Sequence, residues 1–411
     1  MALPIREGAA YNVIDRCTLD ASFQTDPVYD GSIGVLSSGS ETSAGNVGLP
    51  AAYNHHNTVS NNFFKGASTA SMSIGVQFMR GDSNTIVGNH FADIEDEGIY
   101  SSHSTGGNTI SGNTFSYEDR AINDHVVAIR LSQSGGGNII ENNKVDFRDQ
   151  YFESYTGISI VSSSTGSMNP DIIRNNIIHF RGSARIGKGI EIRRSDFAYI
   201  LNNTIVAEPD DLETKLSLIY VYGSPSTPNN RVENNLLYLN AEGISPKYFI
   251  ELRDKADITD YGSFDFNNFF ATSNSQNVNV ADHHGTTYPS LSDWQLAGGN
   301  FDQNSTEFNP NIFFPVDGQY RPTNAQMDNL GKDLLTPGLV VSDFDGSART
   351  IEPDQGALEF IPTSIDIGMT ELDVPATPII PGLHNIEVSF KNYGTNVITS
   401  AEIYWQINGG R

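Results

Sequence analysis

Asn84-Thr-Ile-Val-Gly-Asn89-His-Phe91 and Asn108-Thr-Ile-Ser-Gly-Asn113-Thr-Phe115 are two copies of one phrase, and reading them decides the fold. The phrase recurs upstream as Asn57-Thr-Val-Ser-Asn-Asn62-Phe63 and downstream as Asn138-Ile-Ile-Glu-Asn-Asn143. Looser copies close on Asn176, Asn203, Asn235 and Asn268. The closing asparagines lie 27, 24, 30, 33, 27, 32 and 33 residues apart, starting from Asn62. Such steps are too short for a domain and suit one coil of a solenoid. A constant phrase with a variable step means that core strands repeat while a loop changes length. Asparagine tolerates the left-handed backbone of a sharp corner. Stacked at ~4.8 Å, its amide can bond to the coils above and below. All eight are therefore expected on one corner.

A second strand lies between the copies, often opened by glycine: Gly75-Val-Gln-Phe78, Gly98-Ile-Tyr100, Gly157-Ile-Ser-Ile160 and Gly189-Ile-Glu-Ile192. Alternation places Val76, Ile99, Ile129, Ile158, Ile190, Leu218 and Ile250 in one inward stack. Phe78, Leu131, Ile160, Ile192, Tyr220 and Leu252 form the next stack. The outward set is then Gln77, Tyr100, Arg130, Ser159, Glu191, Ile219 and Glu251, with Met79, Arg193, Val221 and Arg253 in the neighbouring column. Cys17 fits the corner slot of an earlier coil, with Gly34-Val-Leu-Ser-Ser38 as its partner strand. The long step to Asn62 predicts a projecting loop around Ser37–Pro50.

This pattern resembles the right-handed parallel β-helix proteins of the pectin-lyase-like superfamily over residues 10–270. The expected fold is all-β, with a β-helix over 1–270 and its C-terminal coil and capping segment over 271–360. The resemblance puts that segment over the open end of the last coil, as a solenoid requires. Residues 361–411 carry alternating strands such as Ile386-Glu-Val-Ser-Phe390 and resemble the opening of an immunoglobulin-like adhesion or spacer module, an incomplete β-sandwich. The expected parent is an extracellular or cell-surface bacterial protein that continues into further modules. The start, Met1-Ala-Leu-Pro-Ile-Arg-Glu7, has no apolar signal core and reads as lacking the native N-terminus.

A formal charge of −25 disfavours nucleic acid and anionic membranes. No apolar run could span a bilayer, so no membrane insertion is expected. One cysteine excludes an internal disulfide framework. No cofactor is called with certainty, and no metal-binding residue is assigned. Calcium stays open as an ion through the acidic loops and Asp343-Phe-Asp345-Gly346, where a structural turn is favoured. His283-His284 beside Asp282 lacks a third ligand at a known spacing.

In the resembled family polysaccharides lie across the first sheet, so the expected partner is an extracellular polysaccharide or cell-surface glycan. The coil with Lys188, Glu191, Arg193 and Arg194 has the densest charge on that sheet. Glu191, Arg193 and Arg130 are the catalytic candidates for a lyase or hydrolase. Lys188, Arg194, Tyr100, His103, Tyr155 and Glu251 are the substrate-binding candidates. Glu191 and Glu251 would lie two coils apart, ~9.6 Å, at the edge of the inverting-hydrolase range. Both glutamates and Arg193 are expected to face solvent. No complete catalytic signature is present. The competing readings are same-face ion pairs on a solvated sheet, worth under ~1 kcal/mol each, and a non-catalytic stalk or adhesin module.

Overall fold

The computed structural model describes residues 3–5, 9–21, 33–37, 54–66, 72–118, 125–148, 152–163, 169–182, 184–209, 214–223, 229–272, 275–312, 320–360, 367–374, 385–392 and 396–401. The expected loop around Ser37–Pro50 falls outside these residues beyond Ser37. Three long sheets run along the molecule. The first begins at Leu3–Ile5, continues in parallel to Val278–His283, and ends on the antiparallel strand Thr286–Tyr288. The second runs through nine strands from Val13–Asp15 to Gly262–Asp265, and the third through nine from Thr18–Asp20 to Asn268–Ala271. The all-β parallel β-helix expected from the sequence is the fold observed.

Short strands coil because one residue per turn takes the left-handed conformation between the second and third sheets. Arg16, Asn61, Gly88, Gly112, Asn142, Asn175, Asn202, Asn234 and Phe266 all have φ between 52° and 65°. The next residue in each coil is the ladder residue. The backbone N–H of Asn62 donates to Asn89 Oδ1 at 2.9 Å, and the same bond passes through Asn113, Asn143, Asn176, Asn203 and Asn235. Cys17 takes the slot before them, its N–H donating to Asn62 Oδ1 at 2.8 Å. The last rung corrects the sequence reading. Asn235 N–H reaches Asn267 Oδ1 at 3.0 Å, whereas Asn268 already belongs to the third sheet. Phe266 has taken the left-handed slot that asparagine fills in the four coils before, displacing the pair by one residue.

A second ladder stands at another corner. Asn12, Asn57, Asn84, Asn108 and Asn138 each donate their backbone N–H to the side-chain oxygen one coil on, the series ending on Asp171 Oδ1. The next coil has Ala198, whose N–H donates to Asn230 Oδ1 at 2.9 Å. Asp171 Oδ2 and Asn230 Nδ2, on either side of that alanine, are buried without a partner among the described residues.

Inside, the rings of Phe64, Phe91 and Phe115 stack 4.7 Å apart. The facing slot of the first sheet is glycine there because a Cβ on Gly75 would lie 2.6 Å from Phe91, and one on Gly98 would lie 2.5 Å from Phe115. Further along, Leu218 fills that slot, and the strand Lys215–Tyr222 is therefore read one residue out by the sequence. Ile219 pairs with Ile190 and Val221 with Ile192. Both are buried, and Tyr220 and Tyr222 are the outward residues. A one-residue slip reverses every side chain of a strand.

The C-terminal end is closed by the helix Leu291–Gln295 and the turn after it. Trp294 is fully buried, stacked on Phe301 at 5.0 Å, with its indole N–H donating to Asp302 Oδ2 at 2.7 Å. Residues 320–360 do not share that closure as expected. They run back as a strap along the outside of the second and third sheets. Tyr320, Met327, Ala357 and Leu358 cover Ile177, Val206 and Leu236, while Leu334 and Val340 cover Leu201. The strap bonds the left-handed corner residues: Asn175 Nδ2 donates to Ser342 O, Asn202 Nδ2 to Asp354 O, and Asn234 Nδ2 to Lys332 O. Of residues 361–411, the described part holds two antiparallel strands, Ile367–Val374 and Glu387–Asn392.

Candidate functional site

Register along the first sheet sets its outer face. Gln77, Tyr100, Arg130, Ser159, Glu191, Tyr220, Glu251 and Asp282 form one column. Arg193, Tyr222 and Arg253 lie side by side in the next. Tyr220 takes the place expected for Ile219, so an aromatic ring separates the two glutamates.

Neither glutamate faces solvent, contrary to expectation: Glu191 is 5% exposed and Glu251 1%. Glu191 accepts from Ser159 Oγ at 2.8 Å and from Lys188 Nζ at 2.5 Å. Glu251 accepts from Lys215 Nζ at 2.8 Å, Arg253 Nε at 2.8 Å and the Ser217 hydroxyl. Burial would raise the Glu251 carboxyl, but the bonds from Lys215 and Ser217, with Arg253, win and hold it below its ordinary value. Asp282 is engaged by Arg253 at 2.7 Å and by the N–H of Gly285. Glu97 pairs with Arg130 at 2.9 Å, and its pKa is raised because burial outweighs that arginine. A hydrolase acid must exchange a proton with substrate. Glu191 and Glu251 spend their oxygens on neighbouring side chains.

The remaining candidates separate. Tyr155 is fully buried, stacked at 5.1 Å on Phe147 and at 4.6 Å on Phe180, so it is a core residue and cannot stack on a sugar here. Its strand, Phe152–Val161, reaches back over the third sheet's aromatic stack, which turns that ring inward. Tyr100 is partly exposed, three coils from Glu191, and His103 sits at a left-handed corner with Nδ1 3.1 Å from Ser102 Oγ. Arg193 and Arg194 are exposed, and both guanidinium groups lie beside the Tyr222 ring, at 5.7 and 5.6 Å. Lys188 Nζ lies 4.1 Å over the Tyr220 ring. Lys188, Arg193 and Arg194 thus lie together, around Tyr222 and around Tyr220, which the expected alternation had turned inward. Burial, helped by the carboxylates of Glu251 and Glu191, pushes Tyr220 up to about 12, so its phenol stays neutral. The signal for it was the aromatic pair in Ile219-Tyr-Val-Tyr222.

Residues 28–145 match the family model described as periplasmic copper-binding protein (NosD). That segment is well under half of the chain. No curated protein matches the chain. The periplasmic description agrees with the extracytoplasmic location expected from the sequence, and no helix of the described residues is long and apolar enough to cross a membrane. Copper needs convergent soft or imidazole donors. Among the described residues no group of three or more His, Cys, Asp or Glu could hold a metal. Within the matched segment His55 and His56 meet, Nδ1 to Nδ1 at 2.9 Å, which is two donors bonded to each other. Met79 Sδ accepts from the Ser102 hydroxyl at 3.1 Å. The described residues do not fit a copper centre. At the C-terminal end, His283 Nε2 bonds to Lys255 O, and the Asp343 carboxylate accepts the N–H groups of Ser347 and Glu359, as a structural turn does.

Proposed function

We propose that this extracytoplasmic β-helix module binds an acidic polysaccharide on its first sheet without cleaving it. The observation behind this is the exposed group of Arg193 and Arg194 around Tyr222, next to Lys188 over Tyr220. A flat ring with cations at its edge suits a sugar ring carrying carboxylates or sulfates, since the ring stacks and the guanidinium groups take the anion in bidentate fashion. Local cations attract such a chain even on a protein of charge −25. Binding is favoured over cleavage because Glu191 and Glu251 are buried and committed to Lys188, Lys215, Ser159, Ser217 and Arg253. The two strands after residue 366 suit the immunoglobulin-like spacer reading of that segment, which would present the helix at a surface.

A glycan array with neutral, uronate-bearing and sulfated chains tests this. The anionic chains should bind, with affinity falling as salt rises. Arg193→Ala and Tyr222→Ala should each weaken them about tenfold while the melting temperature stays unchanged. Equal binding by both variants, or no binding by the parent, would leave the stalk reading, which the neutralised glutamates also favour.

A further inference from the structure

The third sheet is covered by the strap, and most of its outer face there is apolar. At one end the pattern changes. Lys144 and Asp146 point outward from the strand Lys144–Phe147, and His179 occupies the next coil's position beside Asp146. His179 is fully buried. Its Nε2 lies 3.0 Å from Glu208, so the proton sits there. Its Nδ1 lies 2.9 Å from Tyr320 Oη and 3.1 Å from Arg181 Nε, and accepts from both. Burial keeps this imidazole neutral by lowering its pKa, which agrees with that arrangement. Tyr320 is thereby pinned through its hydroxyl, with one end of its ring facing a cavity of about 360 Å³.

The cavity lies between sheet and strap. Ile177, Phe344 and Leu358 give it apolar walls, while Lys144, Arg321 and Asp345 give it charge. The charges do not cancel. Arg321 is bonded to Asp345 at 2.7 Å and to the Glu359 carbonyl. Asp146 is bonded by Arg148 at 2.8 Å. Lys144 lies 5.3 Å over the Tyr320 ring and forms no hydrogen bond or ion pair among the described residues. Burial lowers its pKa and the charge of Asp146 opposes that shift, yet no carboxylate among the described residues comes within ion-pair distance, so a half-buried ammonium is left facing a partly apolar space. Pockets of this size hold ligands of the size of one or two sugars.

We propose that this cavity binds a small organic carboxylate with a ring or apolar body, its anion on Lys144 and its body between Tyr320 and Leu358. It is separate from the first-sheet reading and stands on different residues. D-glucuronate, with D-glucose as the neutral counterpart, tests it by titration calorimetry on the full chain. Glucuronate should bind and glucose should not. Lys144→Gln should weaken glucuronate about tenfold, and Asp345→Asn, which removes a like charge at an exposed position, should tighten it about threefold. Because Asp345→Asn is predicted to gain affinity, a folding defect cannot mimic the result. No binding by the parent, equal binding of glucose, or affinity unchanged in Lys144→Gln would overturn the site. Loss of glucuronate binding in Arg193→Ala would also overturn it, by moving the anion to the first sheet.

Discussion

The two asparagine ladders use the same bond and end differently. The first continues from Cys17 to Asn267 and finishes on Asp302, which is fully buried and accepts from Asn267 Nδ2, Ser305 Oγ and the Trp294 indole. The second loses its side-chain relay at Ala198, and among the described residues the carboxylate before the gap, Asp171, accepts only from Asn138, leaving Oδ2 unpartnered. A buried acid is tolerable when each oxygen has donors, and the cost of an orphaned one falls on its proton. Both acids are raised mainly by burial, Asp302 to about 6 and Asp171 to about 7. The acid with fewer donors is raised further.

The largest effect is expected of Asn176→Ala in the intact ladder. It removes the acceptor of both the N–H and Nδ2 of Asn143. Two buried donors are then unmade and a small void is left, so the unfolding free energy should fall by roughly 3–5 kcal/mol. Urea denaturation measures this. A loss below that of an exposed-site control would mean that the amide column is dispensable.

Asp171→Asn should act in the opposite direction. The folded pKa lies above the ordinary 3.8, so the folded chain binds a proton that the unfolded chain has released between those values. The stability from that proton is fully present below pH 3.8 and is lost as pH rises through about 7. Asparagine carries no such penalty. The variant should gain roughly 1–3 kcal/mol over the parent at pH 8 and almost nothing at pH 4. A gain independent of pH would show that Asp171 is not the titrating group.

The smallest effect is Ala198→Asn on the Asp171→Asn background, which restores the missing rung. It should add about 1 kcal/mol, one buried amide bond's net contribution, read as a rise in the urea midpoint. A drop would show that the alanine is there for want of space.

Both ladders were present in the first phrase quoted, which begins and ends on asparagine. Only the closing one was legible as a corner, since paired asparagines flagged the left-handed slot before it. Where that slot changed residue, at Phe266, the reading slipped to Asn268. It slipped likewise where Leu218 filled the glycine slot. Each error came from following a letter when the phase of the inward stack was the firmer guide, since Val232 pairs with Phe264. The charged cluster at Lys188, Glu191, Arg193 and Arg194 was legible from density alone. The burial of Glu191 was not, because Ser159 and Tyr220 flank it from neighbouring coils, and chain distance does not rank such contacts. Residues 320–360 were misplaced for a related reason, as their docking depends on corner amides more than 90 residues earlier.

Those amides give the strap a metric property. It grips the coils of Asn175, Asn202 and Asn234 at Ser342, Asp354 and Lys332, and Gln355 Nε2 reaches Phe266 O one coil further on. Solenoids ordinarily gain or lose whole repeats with little consequence, since each coil knows only its neighbours. Here a coil duplicated or deleted between 174 and 267 would move these anchor points ~4.8 Å per coil against a chain of fixed length. The strap therefore works as a ruler, fixing the repeat number in the C-terminal half while the N-terminal half remains free to change its length.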